Sequence, residues 1–396
     1  MQNNTMTNLP QGWEVKTLSE IGEIITGSTP SKSNVEFYGK DYPFFKPSDF
    51  EQGYFLENAG DNLSKLGFGK ARQLPPKTIL VVCIGSLGKV ALTRVIGSCN
   101  QQINAIIPHK NIISEYIYYY CISSKFQSIL FSKAPQTTLA IFNKTEFSKL
   151  EIIYPKDIKK QERIVGILDE SFAKIDESIK ILEQDLLNLD ELMQSALQKA
   201  FNPLKDNAKE NYKLPQGWEW KSLEEISENI SAGGDKPKNC TESKTAKNQI
   251  PVYANGVNNN GLVGYTDKAT IIKPSLTISA RGTIGFVCIR KEPYFPIVRL
   301  ISLIPYENIL CLHYLYFCLN FFIAKGEGSS IPQLTIPKFK SLQIPLPPLK
   351  EQEQIAKHLD FVFEKTKALK ELYTKELKDY EELKQSLLNK AFKGEL

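Results

Sequence analysis

The sequence predicts a mixed α/β protein built twice, each copy a variable α/β lobe followed by one long coiled-coil helix. Three observations predict it: a repeated opening, a repeated helical block, and β-rich runs bounded by glycine and proline between them. Leu9-Pro10-Gln11-Gly12-Trp13-Glu14 returns as Leu214-Pro215-Gln216-Gly217-Trp218-Glu219, and 11 of 16 positions agree between Leu9–Ile24 and Leu214–Asn229. Gln161–Phe201 returns as Gln352–Phe392 without a gap, 16 of 41 positions being identical. An ungapped match of that length marks a continuous element that tolerates no insertion. Between the blocks the copies diverge, apart from Gly85-Ser86-Leu87-Gly88 opposite Gly282-Thr283-Ile284-Gly285.

The repeated block carries a heptad seam. Leu168, Phe172, Ile175, Ile179, Leu182, Leu186, Leu189, Met193 and Ala196 alternate in steps of four and three, the spacing of a coiled coil. Leu359, Phe363, Tyr373, Leu377, Tyr380 and Leu387 occupy matching places in the second copy, where Thr366, Lys370 and Lys384 interrupt the seam and predict a weaker or shifted face. Of these, Leu168, Phe172, Leu182, Leu186, Leu189, Leu359, Phe363, Leu377 and Leu387 are the expected helix-pair contacts. Pro155 and Pro347-Pro348 give start signals and Pro203 a stop. At ~1.5 Å per residue each helix would run about 65–70 Å.

In the lobes, β-rich runs fall at Thr78–Ile84, Lys89–Val95, Asn104–Pro108, Leu276–Ser279, Phe286–Ile289 and Leu300–Ile304. Helices are expected at Ser114–Leu130 and Leu310–Lys325, and closing strands at Leu150–Tyr154 and Leu342–Leu346. Charge separates the two kinds of segment: residues 1–155 carry net +3 and 211–346 net +5, against −3 for 156–210 and zero for 347–396. The positive charge sits where phosphates would be met. The loops supply side chains that read base edges and grip phosphates. From residue type and position, the candidates are Ser28, Thr29, Lys32, Lys46, Ser48, Ser86, Lys89, Gln101 and Gln102 in the first lobe. In the second they are Lys236, Asn255, Asn258, Asn259, Arg281, Thr283 and Arg299. Asn and Gly are also ordinary turn formers, so the case rests on the set rather than on one loop.

Equipment for catalysis is missing. Gly88-Lys89 has Cys83 where a phosphate loop needs glycine, Gly67-Phe68-Gly69 stands alone, and neither Pro75-Pro76 nor Pro347-Pro348 follows Asn or Asp. Asp235 with Glu242-Ser243-Lys244 is a poor magnesium triad. His109, His313 and His358 are scattered, and His313 between Cys311 and Cys318 on an apolar stretch reads as core rather than zinc. No catalytic residue and no metal ligand is expected. Seven cysteines without a C-x-x-C pair, and a polar Met1–Leu9, point to reduced thiols in the cytoplasm. Leu312–Ile323 is too short to span a bilayer.

The repeated L-P-x-G-W start, Gly27-x-Thr29-Pro30 with Pro43 and Ser48-Asp49, and the Gly-x-x-Gly patch resemble type I restriction–modification specificity subunits. So do the Q-E-x-I helix openings that follow Pro155 and Pro347, and the endings Ser195-x-Leu197-x-Lys199-Ala200-Phe201 and Ser386-Leu387-Leu388-x-Lys390-Ala391-Phe392. Pro251-Val252-Tyr253-x-Asn255-Gly256 with Gly264-Tyr265 resembles another branch of that family. The resemblance implies target-recognition domains at 1–155 and 211–346, a conserved helix and linker at 156–210, and a conserved helix at 347–396. It implies that the helices pack antiparallel under a pseudo-two-fold, that each domain reads half of a bipartite, asymmetric site in double-stranded DNA, and that the helices set the gap. It implies docking of two methyltransferase subunits, with restriction subunits joining through them, no membrane, and S-adenosylmethionine, ATP and magnesium only on those partners. Rival readings are a specificity subunit serving a methyltransferase alone, a coiled-coil adaptor with two protein-binding lobes, and a self-contained enzyme, against which the missing motifs argue.

Overall fold

In a computed structural model of the chain, the described residues are 9–133, 141–201, 214–323, 326–327 and 334–396. Pro203 and the rest of the expected linker lie outside them. Two compact units form, residues 1–182 with 374–396 and residues 183–373, so the boundary falls inside both long helices rather than at their ends.

In the first unit the lobe is closed by its own termini: Trp13–Thr17 pairs antiparallel with Glu151–Pro155. A five-stranded sheet has the order Gly22–Thr26, Ile103–Pro108, Ile79–Val82, Val90–Thr93, Phe55–Leu56. Its central strands are rich in Val, Ile and Leu, with Ile79–Val82 buried throughout and Ile103–Pro108 buried over its first four residues. A second sheet orders Asp61–Leu63, Tyr38–Phe45, Gly97–Cys99 and Gln73–Leu74. The expected helix Ser114–Leu130 is two helices, Ser114–Ile122 and Ser124–Lys133. Ser123 breaks it by adopting extended backbone, its hydroxyl donating to the Tyr120 carbonyl at 2.6 Å and accepting from the Phe126 amide at 3.4 Å. Hydroxyl competition for backbone groups is invisible to hydrophobic periodicity.

The second unit repeats the plan. Glu219–Ser222 pairs with Gln343–Leu346, and a four-stranded sheet orders Ser227–Ala232, Ile301–Pro305, Ser275–Ile278 and Val287–Arg290. A three-stranded sheet orders Leu262–Thr266, Ile250–Tyr253 and Phe295–Pro296. The apolar stretch is the helix Leu312–Phe322, burying Tyr314, Leu315, Phe317, Cys318 and Leu319; Lys325, the expected end, is outside the described residues. No helix among the described residues is long and apolar enough to cross a membrane.

The long helices span Ile158–Phe201 and Leu349–Lys393. Each begins by being locked to its lobe through a buried glutamine. Gln161 donates from Nε2 to the carbonyls of Pro155 (2.9 Å) and Asn111 (3.3 Å) and accepts at Oε1 from the Ile113 amide (3.0 Å). Gln352 repeats the three bonds with Pro347, Ile309 and Cys311 at 2.8, 2.9 and 2.9 Å. Both glutamines are fully buried, where an unmade hydrogen bond is costly, so the Q-E opening is a joint. Tyr116 and Tyr314 donate to the carbonyls of Ile153 (2.9 Å) and Pro345 (2.8 Å). Asp169 and Asp360, equivalent in the repeat, are held by Tyr119 (2.6 Å) and His313 (2.8 Å). His313, read from the sequence as core, is half-buried and ties the lobe to the helix.

Inside each unit the end of one long helix packs beside the start of the other. Leu388, Ala391 and Phe392 join the core holding Leu168 and Ile164, with Phe392 edge-on to Tyr120 at 5.0 Å. Leu197 and Phe201 join the core holding Ala356 and Leu359, with Phe201 edge-on to Tyr314 at 5.7 Å. The pairing is antiparallel within each unit, and it explains why both blocks end in Ala-Phe. Ile175, Leu182, Leu189 and Leu359 are buried, and Phe172, Leu186, Phe363, Leu377 and Leu387 are partly buried. The seam of the second helix is not shifted. Thr366 is 2% exposed and its hydroxyl is satisfied by the Val362 carbonyl at 2.9 Å. Lys370 pairs with Asp190, and Lys384 pairs with Asp176 at 2.6 Å and lies over the Phe172 ring.

Candidate nucleic-acid interface

In each lobe, loops at one end of the main sheet are stitched together by hydrogen bonds. In the first lobe the segment after Gly22–Thr26 meets the turn before Ile103–Pro108: the Gly27 amide donates to Ile103 (3.0 Å), and the Ser28 amide to Cys99 (3.0 Å). A Cβ on Gly27 would lie 2.1 Å from the Asn100 carbonyl oxygen, so only glycine permits this approach. The Thr29 hydroxyl donates to Gln101 at 2.5 Å, and the Gln102 side chain reaches the Ile84 carbonyl at 3.4 Å, bringing in the Gly85–Gly88 loop. Arg72 donates to the carbonyl of Thr26 (2.5 Å) and, through its backbone, to Ser28 (3.3 Å). The exposed guanidinium of Arg72 thus belongs to the cluster, although it lies outside every loop the sequence singles out.

The second lobe repeats the arrangement. Gly233 donates to Leu300 (2.8 Å), and Val298 and Arg299 donate to Gly234 and Gly233 (both 2.8 Å). Asn255 is the clamp: its Oδ1 accepts from the Ala280 amide (2.8 Å) and its Nδ2 donates to the Val298 carbonyl (2.6 Å). It joins the Arg281 loop to the Arg299 turn. Below it, Arg290 is 8% exposed, stacks 3.5 Å from the Tyr253 ring centroid, and donates to Thr277 and to the Asn260 carbonyl. Arg290 makes no ion pair among the described residues. A buried cation without a carboxylate adds positive potential to the face above it. Asn259, Asn260, Val298 and Arg299 all have positive φ, which costs a β-branched residue such as Val298 on the order of 1–3 kcal/mol.

The candidates separate into three groups. Thr29, Lys32, Ser48, Ser86, Gln101, Lys236, Asn258, Asn259 and Arg299 are exposed. Ser28, Gln102, Arg281 and Thr283 are half-buried at the cluster. Lys46, Lys89 and Asn255 are engaged within the protein: Lys46 pairs with Asp61, Lys89 with Glu51, and Asn255 is the clamp. In the absence of DNA the polar ends of these three already have partners within the protein. The Lys89 pair holds Glu51 below the usual carboxylate range.

Burial pushes the thiols of Cys83 and Cys99 up to about 12 and raises those of Cys121 and Cys318 further, keeping them neutral. No group of three His, Cys, Asp or Glu among the described residues is placed to hold a metal ion.

Two copies of one α/β lobe, each jointed to a continuous helix and each gathering polar and basic loops at one sheet end, define a tandem recognition scaffold. The model of the "Type I restriction modification DNA specificity domain" matches residues 10–186 and again 215–379, and the chain belongs to that family. Over 186 residues it is 39% identical to the type I restriction enzyme HindI specificity subunit of Haemophilus influenzae, covering 45% of this chain and 40% of that one. It is 24% identical over 378 residues to the MjaIX specificity subunit of Methanocaldococcus jannaschii, covering 86% and 84%. Among solved structures, a chain from work on "complex assembly and conformational transition of the type I R-M system" has TM-score 0.82 at 19% identity, covering 98% of this chain and 99% of its own. The HsdS subunit of Thermoanaerobacter tengcongensis has TM-score 0.61 at 19% identity over the full length of both. At these identities the structural likeness is one of fold.

Proposed function

We propose that this chain is the DNA-reading subunit of a type I restriction–modification complex and does no chemistry itself. Each lobe reads one half of a bipartite, asymmetric site in double-stranded DNA. Methyltransferase subunits, two per chain, dock on the conserved helices, and restriction subunits join through them. S-adenosylmethionine, ATP and magnesium belong to those partners, and the complex works in the cytoplasm. The observation that carries the reading is the loop cluster that recurs at matching hydrogen-bond positions in both lobes, on the segments that carry the net positive charge. Phosphate contacts from Lys32, Arg72 and Lys236 would hold the duplex while Arg281 and the turn tips reach base edges.

The test is methylome sequencing of cells carrying the complex with residues 211–346 exchanged for the corresponding lobe of a relative. One half of the methylated motif should change while the other stays; a change in both halves, or in neither, refutes modular reading. The adaptor reading is separated by salt: DNA affinity should fall linearly in a log–log plot against salt concentration, whereas an adaptor would show no such slope.

A further inference from the structure

Resting on that DNA-reading role, we propose that the two-residue turns Gln101-Gln102 and Val298-Arg299 are equivalent reading tips that set the difference between the two half-sites. The equivalence comes from hydrogen bonds, since these turns share no sequence. In both lobes the residue before the tip donates to the end of a neighbouring strand: Asn100 to Phe45 at 3.1 Å, Ile297 to Tyr253 at 2.8 Å. The residue after the tip closes the turn: Ile103 to Asn100 at 3.2 Å, Leu300 to Ile297 at 3.1 Å. The preceding strands make the same parallel pairs, Phe45 beside Cys99 and Tyr253 beside Pro296. Gly27 and Gly233 press against the turn in each lobe, where a Cβ would meet backbone at 2.1 and 2.5 Å. These contacts superimpose Gln101 on Val298 and Gln102 on Arg299.

The chemistry at the two tips differs. Gln101, whose Oε1 accepts from Thr29, offers its exposed Nε2 donor to a base-edge acceptor, while Gln102 holds its amide between the Asn100 side chain and the Ile84 carbonyl and shapes the tip. Arg299 offers the fork that suits guanine O6 and N7, and Val298 an apolar face for a thymine methyl. Val298 is 51% exposed and has φ +53, and Arg299 has φ +60. Positive φ at both central residues inverts this turn relative to Asn100–Ile103, where neither central residue has it. A branched apolar side chain held in that conformation and pointed at solvent contributes nothing to the core, and strain of this kind concentrates at binding sites. The Asn255 clamp on the Val298 carbonyl holds the turn there.

The experiment uses the assembled complex of this chain with its methyltransferase subunits. Methylome sequencing and competition binding compare wild type with R299A, V298G and the lobe-one exchange Q101V/Q102R. V298G keeps the backbone conformation and removes only the side chain, so its melting temperature should hold or rise. R299A should lose roughly tenfold to a hundredfold discrimination at one base pair of the second half-site, the size of a bidentate guanine contact. V298G should relax the adjacent base pair, and Q101V/Q102R should alter the first half-site alone. If R299A and V298G leave the second half-site unchanged while exchange of residues 211–346 alters it, this inference fails and the modular role stands. If the lobe exchange also leaves the motif unchanged, the DNA-reading role fails with it.

Discussion

At the residue scale, side chains of one type do different work according to their partners. Arg281 lies half-buried in the loop that Asn255 fastens to the Arg299 turn. Arg281→Ala should weaken specific DNA binding by about 1–3 kcal/mol if it meets a guanine edge; titration of a labelled duplex at fixed salt measures it, and an unchanged affinity assigns the loop a purely structural role. Asn255→Ala leaves the tip without its clamp. It should blur recognition of the second half-site while shifting the salt slope of binding little, whereas loss of a phosphate contact would lower that slope. Gln352 is the other kind of residue, buried and triply bonded. Gln352→Ala strands two carbonyls and an amide away from water, an effect of about 1–3 kcal/mol or more. Urea unfolding of the complex-free chain should show its transition at lower denaturant, and Gln161→Ala should do the same through the first unit.

At the scale of elements, the long helices pair through their apolar seam, with a lysine–carboxylate bridge beside it in each unit. Asp176–Lys384 and Asp190–Lys370 occur one in each unit, and they turn what looks like damage to the heptad into a matched feature. Partial burial of the Lys384 side chain opposes its charge, but Asp176 and Glu381 outweigh that and hold its pKa above the ordinary lysine value. Charge reversal at Lys384→Glu places two carboxylates together and should destabilise the first unit by roughly 1–3 kcal/mol. The paired reversal Asp176→Lys with Lys384→Glu should restore most of it. A double-mutant cycle by denaturant unfolding measures the coupling, and a coupling near zero would make the bridge a mere surface contact. The lobe helices show the opposite lesson: Ser123 ends one helix and starts the next with a single hydroxyl.

At the scale of the whole molecule, duplication has been used to keep the framework and vary the reader. The glutamine joints, Gln161 and Gln352, recur bond for bond, and Asp169 and Asp360 are each tied to their lobe by a different partner, while the tips carry different chemistry on the same backbone positions. A lobe can therefore change its target without disturbing the helix it is fixed to. Inserting residues within 202–213, the segment joining the first long helix to the second lobe in sequence, should alter the number of unspecified bases in the methylated motif. Sequencing of modified genomes reads that number directly, and an unchanged gap would remove the idea that the conserved segments act as a ruler.

The sequence by itself determined the duplication, the α/β class, the heptad seam and the absence of known catalytic motifs, because each of these is a periodicity, a repeat or a local pattern. It also placed Gln101, Gln102 and Arg299 among the candidate readers by residue type. Only the tertiary structure decided that Lys46, Lys89, Asn255 and Gln102 find partners inside the protein, that Arg72 joins the loop cluster, and that Val298 stands where Gln101 stands. The reason is physical: these outcomes depend on ion pairs and hydrogen bonds between residues far apart in the chain, such as Thr29 with Gln101 or Asn255 with Val298. Such pairs exist only once the sheets have brought the loops together, and no periodic pattern along the chain encodes them.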